Sequence, residues 1–448
     1  TIMRILIISS FFPPQNSIAS HRPYSWAKYW SRAGHQVTVV TTPKRHHDPL
    51  AMPMDSTGFE VVELGYGDLF DKLVARYKRH KGQPQSASKS TSVSRPGLIG
   101  RLFSVLDQYR SRRGFFDMRR FPDFSHFWAG KAAKWASQHG KWDLVVSTYA
   151  PYTAHLAASR IRKGGHADFW VADYRDLWTD DHIFKGMPMV VWYENMLERN
   201  LISNADLLTT VSAPLCKKLQ DRFGKTTLTI ENGYEPGDLG VLPQQNAFEG
   251  LSKKIRIVYT GSIYKSTRDP SPLFEAIRRI SRNASEKNIL DSLEVVFVGG
   301  NIALLQEMIA EMDVEPWVRL EGFVTRSQAL TMQRDADVLL FLESNVNGVD
   351  GILTGKIFEY LSSGTEVWAL GVTPDSTPGK LIASSGAGFV FGSDVDAIES
   401  ALIRLLKSGS APKNQVDSGV LIRYTREGLA MQMLQEIVTR KAQEKNLN

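Results

Sequence analysis

Met3 to Ser10 reads Met-Arg-Ile-Leu-Ile-Ile-Ser-Ser, a nearly unbroken apolar run rich in β-branched side chains. Such a run suits a strand covered on both faces, the condition of a parallel sheet with helices on either side. The next segments keep to that architecture. A Phe11-Phe12-Pro13-Pro14 loop leads into helical spacing over Ser20–Ala33, Gly34-His35 closes the helix, and Gln36–Thr41 is a second strand. Strand, helix, strand in this order is the repeating unit of an α/β domain. Further strands are expected at Leu144–Ser147, Phe169–Ala172, Leu207–Val211 and Leu228–Glu231, the last running into the turn Asn232-Gly233-Tyr234.

The same pattern restarts at Ile255. Strands are expected over Ile255–Tyr259, Leu293–Val298 (ending in Gly299-Gly300), Val318–Leu320, Val338–Leu342 and Thr365–Leu370, with helices over Pro272–Arg282, Ile302–Met312, Ser327–Asp335 and Asp394–Lys407. A polar helix over Arg423–Lys445 ends the chain. The fold class is therefore α/β, with two doubly wound units in tandem: residues 1–236, then 237–422, then a terminal helix at 423–448. In such sheets ligands bind at the carboxyl ends of the strands, so two units facing one another leave a cleft between their loop edges.

Length and composition agree with this reading, since 448 residues with 42% hydrophobic side chains allow two real cores. No run of about 18 uncharged apolar residues occurs, and Thr1–Ile8 turns polar too quickly for a signal peptide, so a cytoplasmic protein is expected. The lone Cys216 excludes an internal disulfide and a cysteine-cluster metal site; a small buried helical residue is expected there. The net charge of +7 is local in origin: Lys72 to Lys134 holds 15 Lys or Arg against three acids, and the rest of the chain is net acidic. This falls in a basic insertion at about 66–130. Within it, Gln83–Gly97 reads as a flexible loop, flanked by basic amphipathic spacing over Leu69–Lys81 and Leu98–Arg113. Peripheral contact with an anionic membrane and simple solubility fit it equally. Nucleic acid does not, because no binding module accompanies the charge.

Three places carry candidate chemistry. Gly348 to Gly364 is a glycine-broken loop entering a short helix, whose free N–H groups with Lys356 suit a diphosphate and whose Glu359 suits a ribose diol; an ordinary amphipathic helix is the alternative. Asp173-Tyr174-Arg175-Asp176-Leu177-Trp178 directly follows a buried strand. There a carboxylate can orient an acceptor hydroxyl and Arg175 can meet phosphate, or the charges form a structural ion-pair network. His21 beside Arg22, and His155 after another strand end, can touch an acceptor or be satisfied by a backbone carbonyl. His46-His47 reads as loop surface, and its surroundings match no zinc pattern.

Taken in order, several short pieces resemble the family 4 glycosyltransferases. In the first half these are Phe-Phe-Pro-Pro followed by His21-Arg22, Gly34-His35-Gln36-Val37-Thr38-Val39-Val40-Thr41, Ala172 through Trp178, Asn204-Ala205-Asp206 before Thr209-Thr210-Val211-Ser212, and Ile230-Glu231-Asn232-Gly233-Tyr234. In the second they are Tyr259-Thr260-Gly261-Ser262, Gly322-Phe323-Val324, Ala336-Asp337-Val338-Leu339-Leu340 and Lys356-Ile357-Phe358-Glu359-Tyr360-Leu361. Only the basic insertion lies outside the resemblance.

The resemblance implies the GT-B fold, two Rossmann-like domains facing across a cleft with the last helix crossing back to the first. It also implies transfer of a sugar from a nucleotide-diphosphate donor, with retention and without metal or other cofactor, to a saccharide or polyprenyl-diphosphate-linked acceptor in surface polysaccharide, lipopolysaccharide or glycolipid synthesis. The donor side would comprise Gly261, Ser262, Lys265, Arg268, Phe323, Val324, Leu353, Thr354, Gly355, Lys356 and Glu359; Ser17, His21, Arg22 and His155 would lie on the acceptor side; and Asp173, Arg175 and Asp176 are the catalytic candidates. The chain departs from the family pattern where Gly351 replaces the first of two acids, with Asp350 adjacent, and where Ser262 replaces an arginine. The absence of Gly-x-Gly-x-x-Gly after the first strand argues against a nicotinamide enzyme. A two-domain sugar-nucleotide epimerase and a non-catalytic sugar-nucleotide binder remain as alternatives.

Overall fold

The computed structural model describes residues 2–44, 46, 51–66, 125–179, 188–264, 267–343 and 353–447. Lys265, Asp350, Gly351 and nearly all of the basic insertion, with its two expected helices, lie outside the described residues. The chain divides into two compact units, Thr1–Ile230 with Ala430–Asn448, and Glu231–Leu429.

The first unit holds a seven-stranded sheet. Its strands are β1 (Arg4–Ile8), β2 (Gln36–Thr41), β3 (Phe59–Glu63), β4 (Leu144–Tyr149), β5 (Trp170–Tyr174), β6 (Leu207–Thr210) and β7 (Thr227–Thr229), in the order β3-β2-β1-β4-β5-β6-β7. Every pairing is parallel. β1 is buried from Ile5 to Ile8, as its unbroken apolar run predicts. The helix after β1 runs Ile18–Arg32, two residues earlier than its expected start, because the Ser17 hydroxyl accepts from the Ala19 N–H and caps it. The helix Arg426–Leu447 joins this unit from Ala430, whose carbonyl accepts from Trp30 Nε1, and Lys441 Nζ donates to the Asp143 carbonyl.

The second unit holds a six-stranded parallel sheet. Its strands are β8 (Ile255–Thr260), β9 (Leu293–Val298), β10 (Val318–Gly322), β11 (Val338–Leu342), β12 (Glu366–Leu370) and β13 (Gly388–Gly392), in the order β10-β9-β8-β11-β12-β13. Alternate side chains feed two cores. Ile257, Tyr259, Leu340 and Leu342 pack with the helices Ser271–Arg282 and Val395–Ser408; Val258, Leu339 and Phe341 pack with the helix Gly355–Ser362. Leu273, Phe274, Ile277 and Ile280 of the first of these helices are fully buried, and each large side chain contributes about 1.5–3 kcal/mol relative to exposure.

Strands β3 and β13 and the helices His126–Gln138, Thr153–Lys163, Pro188–Ile202 and Thr377–Ser384 were not among the sequence expectations. β3 and β13 lie at sheet edges and lack a continuous apolar run. Cys216 is only half-buried, its thiol donating to the Thr227 carbonyl, which corrects the expectation of a buried residue.

Candidate functional site

In both sheets the strand order reverses direction beside the first strand of the unit: between β1 and β4, and between β8 and β11. The loops leaving such a pair diverge and open a crevice at the strand ends. In the second unit the predicted donor residues gather there.

Gly261 follows β8 at φ 139°, and its N–H donates to the Val298 carbonyl at 2.7 Å. A β-carbon on it would lie 2.5 Å from Lys356 Nζ, so the glycine leaves room for the ammonium. Gly299 repeats this at the end of β9, with φ 138°, its N–H on the Gly322 carbonyl, and only 2.4 Å between a would-be β-carbon and the Gly261 carbonyl oxygen. The ends of β8, β9 and β10 are thereby stitched into one floor.

Lys356, the second residue of the helix Gly355–Ser362, extends over that floor. Its Nζ donates to Tyr259 Oη at 3.0 Å and stands 4.1 Å from the centre of the same ring. Burial, reinforced by the nearby Arg268 charge, lowers its pKa to about 7, against the opposing pull of Glu343 and Glu359. Tyr259 in turn donates to the Ser262 carbonyl at 3.1 Å. A cation placed at a helix start gains nothing from the helix dipole, and here it is also desolvated; a bound anion would relieve both penalties.

Arg268 brings the second cation. Its Nη2 lies 3.3 Å from Glu343 Oε1 and its guanidinium 5.6 Å from the Tyr264 ring centre. Burial opposes the charge, but Glu343 with Tyr259 and Tyr264 outweighs it and raises the pKa. The neighbouring Asp269 accepts from the Ser271 N–H and hydroxyl. Glu343 escaped the sequence reading, although its position directly after the apolar β11 run was the signal available. Burial raises its pKa against the opposing fields of Arg268 and Lys356.

Glu359 is not free. Its Oε1 accepts from Arg326 Nη1 at 2.9 Å, while Arg326 Nε and Nη2 donate to Asp238 Oδ2 at 3.1 and 2.9 Å. Arg326 and Asp238 were not anticipated, since their closeness to Glu359 depends on loops far apart in sequence. Arg426 belongs to the same cluster: burial first, and then Arg326, lower its pKa against Glu359, Asp238 and Glu235. The remaining donor candidates sit around the crevice. Thr354 caps the helix Gly355–Ser362 by backbone only, its buried Oγ1 having no hydrogen-bond partner among the described residues. Leu353 is buried and its carbonyl accepts from Asn232 Nδ2. Phe323 is 76% exposed and lies against Gly300, where a β-carbon would meet its Cζ at 2.9 Å; Ser262 Oγ would be 3.0 Å from that same β-carbon. Val324 packs into the core below.

The first-unit candidates behave differently. Thr148, Asp173 and Thr209 are register partners across β4, β5 and β6. Both hydroxyls donate to the Asp173 carboxylate, at 2.8 and 2.7 Å, and Arg22 donates to it from Nε and from Nη2, the latter at 2.7 Å. Arg22 Nη1 also donates to the Ile230 carbonyl. Asp173 is wholly buried and anchors this network, the ion-pair alternative to its catalytic candidacy, and Arg22 is engaged in the same network.

His155 is likewise enclosed. It is fully buried, with Nδ1 2.8 Å from the Ser147 hydroxyl, which also accepts from Trp170 Nε1. Burial drives its pKa down to about 3 despite Asp173, so it is a neutral core residue. Its partner is a side-chain hydroxyl and not the backbone carbonyl expected. His21 is buried in the helix Ile18–Arg32, where Ser17 serves as the N-cap. Arg175 remains half-exposed beside the strand end, donating to the Tyr149 and Ala150 carbonyls at 3.0 and 3.1 Å with Phe11 under its guanidinium. Asp176 is half-exposed next to it.

These two Rossmann-type sheets match solved glycosyltransferases over their whole length. The chain has the GT-B fold. Sucrose-phosphate synthase from Thermosynechococcus elongatus superposes with a TM-score of 0.57 at 15% identity, over 98% of this chain and 99% of its own. The lipopolysaccharide outer core galactosyltransferase WaaB gives 0.56 at 13% identity, over 98% and 100%. The Anabaena protein HepE, solved in complex with UDP, gives 0.53 at 13% identity, over 99% of each chain. At these identities it is the fold that is shared. No protein-family profile and no curated protein matches the chain.

Proposed function

We propose that this GT-B protein is a glycosyltransferase that moves a sugar from a nucleoside-diphosphate donor to a saccharide or lipid-linked acceptor, with retention at the anomeric carbon. The observation that carries this reading is the Lys356 ammonium set over Gly261 at the β8/β11 crevice, with the Arg268 charge near enough to act on it. Two desolvated cations at a strand-end crevice, beside a helix start with free N–H groups, suit a diphosphate.

In this reading the bond from the anomeric carbon to the β-phosphate oxygen breaks while the acceptor oxygen bonds to the same face of that carbon. The acceptor proton passes to the departing phosphate oxygen, so no protein base is required. That fits a first unit whose buried carboxylate, Asp173, is saturated with donors. Charge building on the leaving diphosphate is met by Lys356, Arg268 and the backbone N–H groups, without a resident metal ion. Arg175 and Asp176, half-exposed after β5, would meet the acceptor. WaaB, a lipopolysaccharide galactosyltransferase, and HepE, a protein that binds UDP, support a UDP-type donor and a surface-glycan acceptor. Action on the inner face of the cell membrane is part of the same proposal, resting on the basic segment Lys72–Lys134.

The test is a panel of UDP-, GDP-, ADP- and dTDP-sugars presented to the purified protein, with calorimetry for binding and slow donor hydrolysis for turnover. Binding and cleavage of one donor is expected. A folded protein that binds none would overturn the proposal, and tight binding without cleavage or transfer would favour the non-catalytic alternative. Sedimentation with anionic vesicles at low and high salt tests the membrane part, where salt-sensitive binding is expected.

A further inference from the structure

Glu343 stands at the end of β11, inside the crevice that holds Lys356 and Arg268, yet an acid is the wrong sign for a diphosphate site. Its Oε1 lies 3.3 Å from Arg268 Nη2, a charge pair too poorly aligned for a well-formed hydrogen bond, so among the described residues that buried oxygen still lacks a well-placed donor. An unsatisfied buried carboxylate oxygen is costly unless some state of the site supplies a donor. Lys356 acts on it through its charge, its Nζ donating to Tyr259 at 3.0 Å and not to Glu343.

We infer that Glu343 is a specificity-determining residue of the donor site: it serves as counter-ion to Arg268 while the site is empty and accepts from sugar hydroxyls once a donor is bound. This rests on the donor-site reading proposed above. Its consequence is discrimination between a nucleoside diphosphate and its sugar ester. A terminal phosphate carries up to about one more negative charge near pH 7 than the same phosphate esterified. It therefore repels Glu343 more, and it brings no hydroxyl to satisfy the orphan oxygen. Glu343 thus favours the esterified donor and expels the free diphosphate that transfer leaves behind. A site built from the two cations alone would hold that product more tightly.

The experiment compares dissociation constants by calorimetry for UDP against UDP-glucose and GDP against GDP-mannose, in the parent protein, Glu343→Gln and Glu343→Asp. Glu343→Gln removes the charge with little change of shape. We expect it to bind the free diphosphate about tenfold tighter while the sugar ester gains less than about threefold or weakens. Glu343→Asp, which withdraws the carboxylate by one methylene, shifts the ratio in the same direction by less, and it decides the matter if the glutamine variant does not fold. A common factor on both ligands, or a ratio unchanged in whichever variant folds, would overturn the inference and leave the proposed function standing. Where the donor panel selects an ADP- or dTDP-sugar, that pair is used instead; a parent protein that binds no nucleoside diphosphate and no sugar ester of the panel would overturn both.

Discussion

Arg326 holds the carboxylate of Glu359, with Nη1 2.9 Å from Oε1, while Asp238 anchors the other side of the guanidinium. Glu359 is thereby fixed in orientation, and its second oxygen is the one left to meet a ribose diol. Arg326→Ala would release Glu359 and leave Asp238 unpaired. Hydrogen bonds to charged groups contribute about 1.5–3 kcal/mol each, so nucleotide affinity should fall roughly ten- to a hundredfold by calorimetry. Arg326→Lys should recover part of this, since lysine restores charge without the planar fork. Glu359→Ala should weaken ribonucleotides more than 2′,3′-dideoxyribonucleotides; equal losses for the two would remove the ribose assignment.

Lys356 titrates near pH 7, lowered by burial and by Arg268. A diphosphate favours the charged form, so binding at pH 7–8 should take up a proton, visible as a dependence of the calorimetric enthalpy on buffer ionisation heat. Affinity should weaken as pH rises above about 7. The stability of the empty protein moves the other way. Because the folded pKa lies below the unfolded one, the unfolded chain binds more protons between about 7 and 10.5, and this group's contribution becomes more favourable as pH rises through that window. Lys356→Met should flatten both dependences and lower diphosphate affinity by tenfold or more.

Gly261 and Gly299 make contrasting tests. Both have φ near +139°, where an L side chain is strained by about 1–3 kcal/mol. At Gly299 the new methyl would also lie 2.4 Å from a backbone oxygen, whereas at Gly261 it meets the movable end of Lys356 at 2.5 Å. Gly299→Ala should therefore lower the melting temperature more, while Gly261→Ala should reduce diphosphate binding out of proportion to its loss of stability. Thermal melts paired with titrations separate the two.

Asp173→Asn tests the structural role assigned to that residue. Breaking a buried ion pair by neutralising one partner costs about 3–5 kcal/mol, so urea unfolding should show a large loss. Thr209→Val, which removes one neutral donor from the same carboxylate, should cost about 1–3 kcal/mol. An unchanged melting temperature with abolished turnover would instead restore Asp173 to catalysis.

The parallel sheets were legible because burial on both faces writes itself into consecutive residues: Ile5–Ile8 and Val338–Leu342 are apolar at every position. β3 and β13 were not, since edge strands are partly exposed and mix polar or glycine residues into the run. Of the donor candidates, Gly261 and Lys356 come together because each sits at a strand or helix end whose position the topology dictates, and the loop between β8 and the helix Ser271–Arg282 brings Arg268 near them.

Sequence alone determined the alternation of buried strands with amphipathic helices, its restart at Ile255, and the strand-end positions where chemistry can sit, all of which come from local patterning. Only the tertiary structure decided which charges are spent. Asp173 lies in register between Thr148 and Thr209 and receives Arg22 from a helix 151 residues away in sequence. His155 is closed into the core, and Glu359 is taken by Arg326. The physical reason is that a titratable side chain's role is set by desolvation and by the partners that long-range packing brings to it, neither of which is encoded in its immediate neighbours.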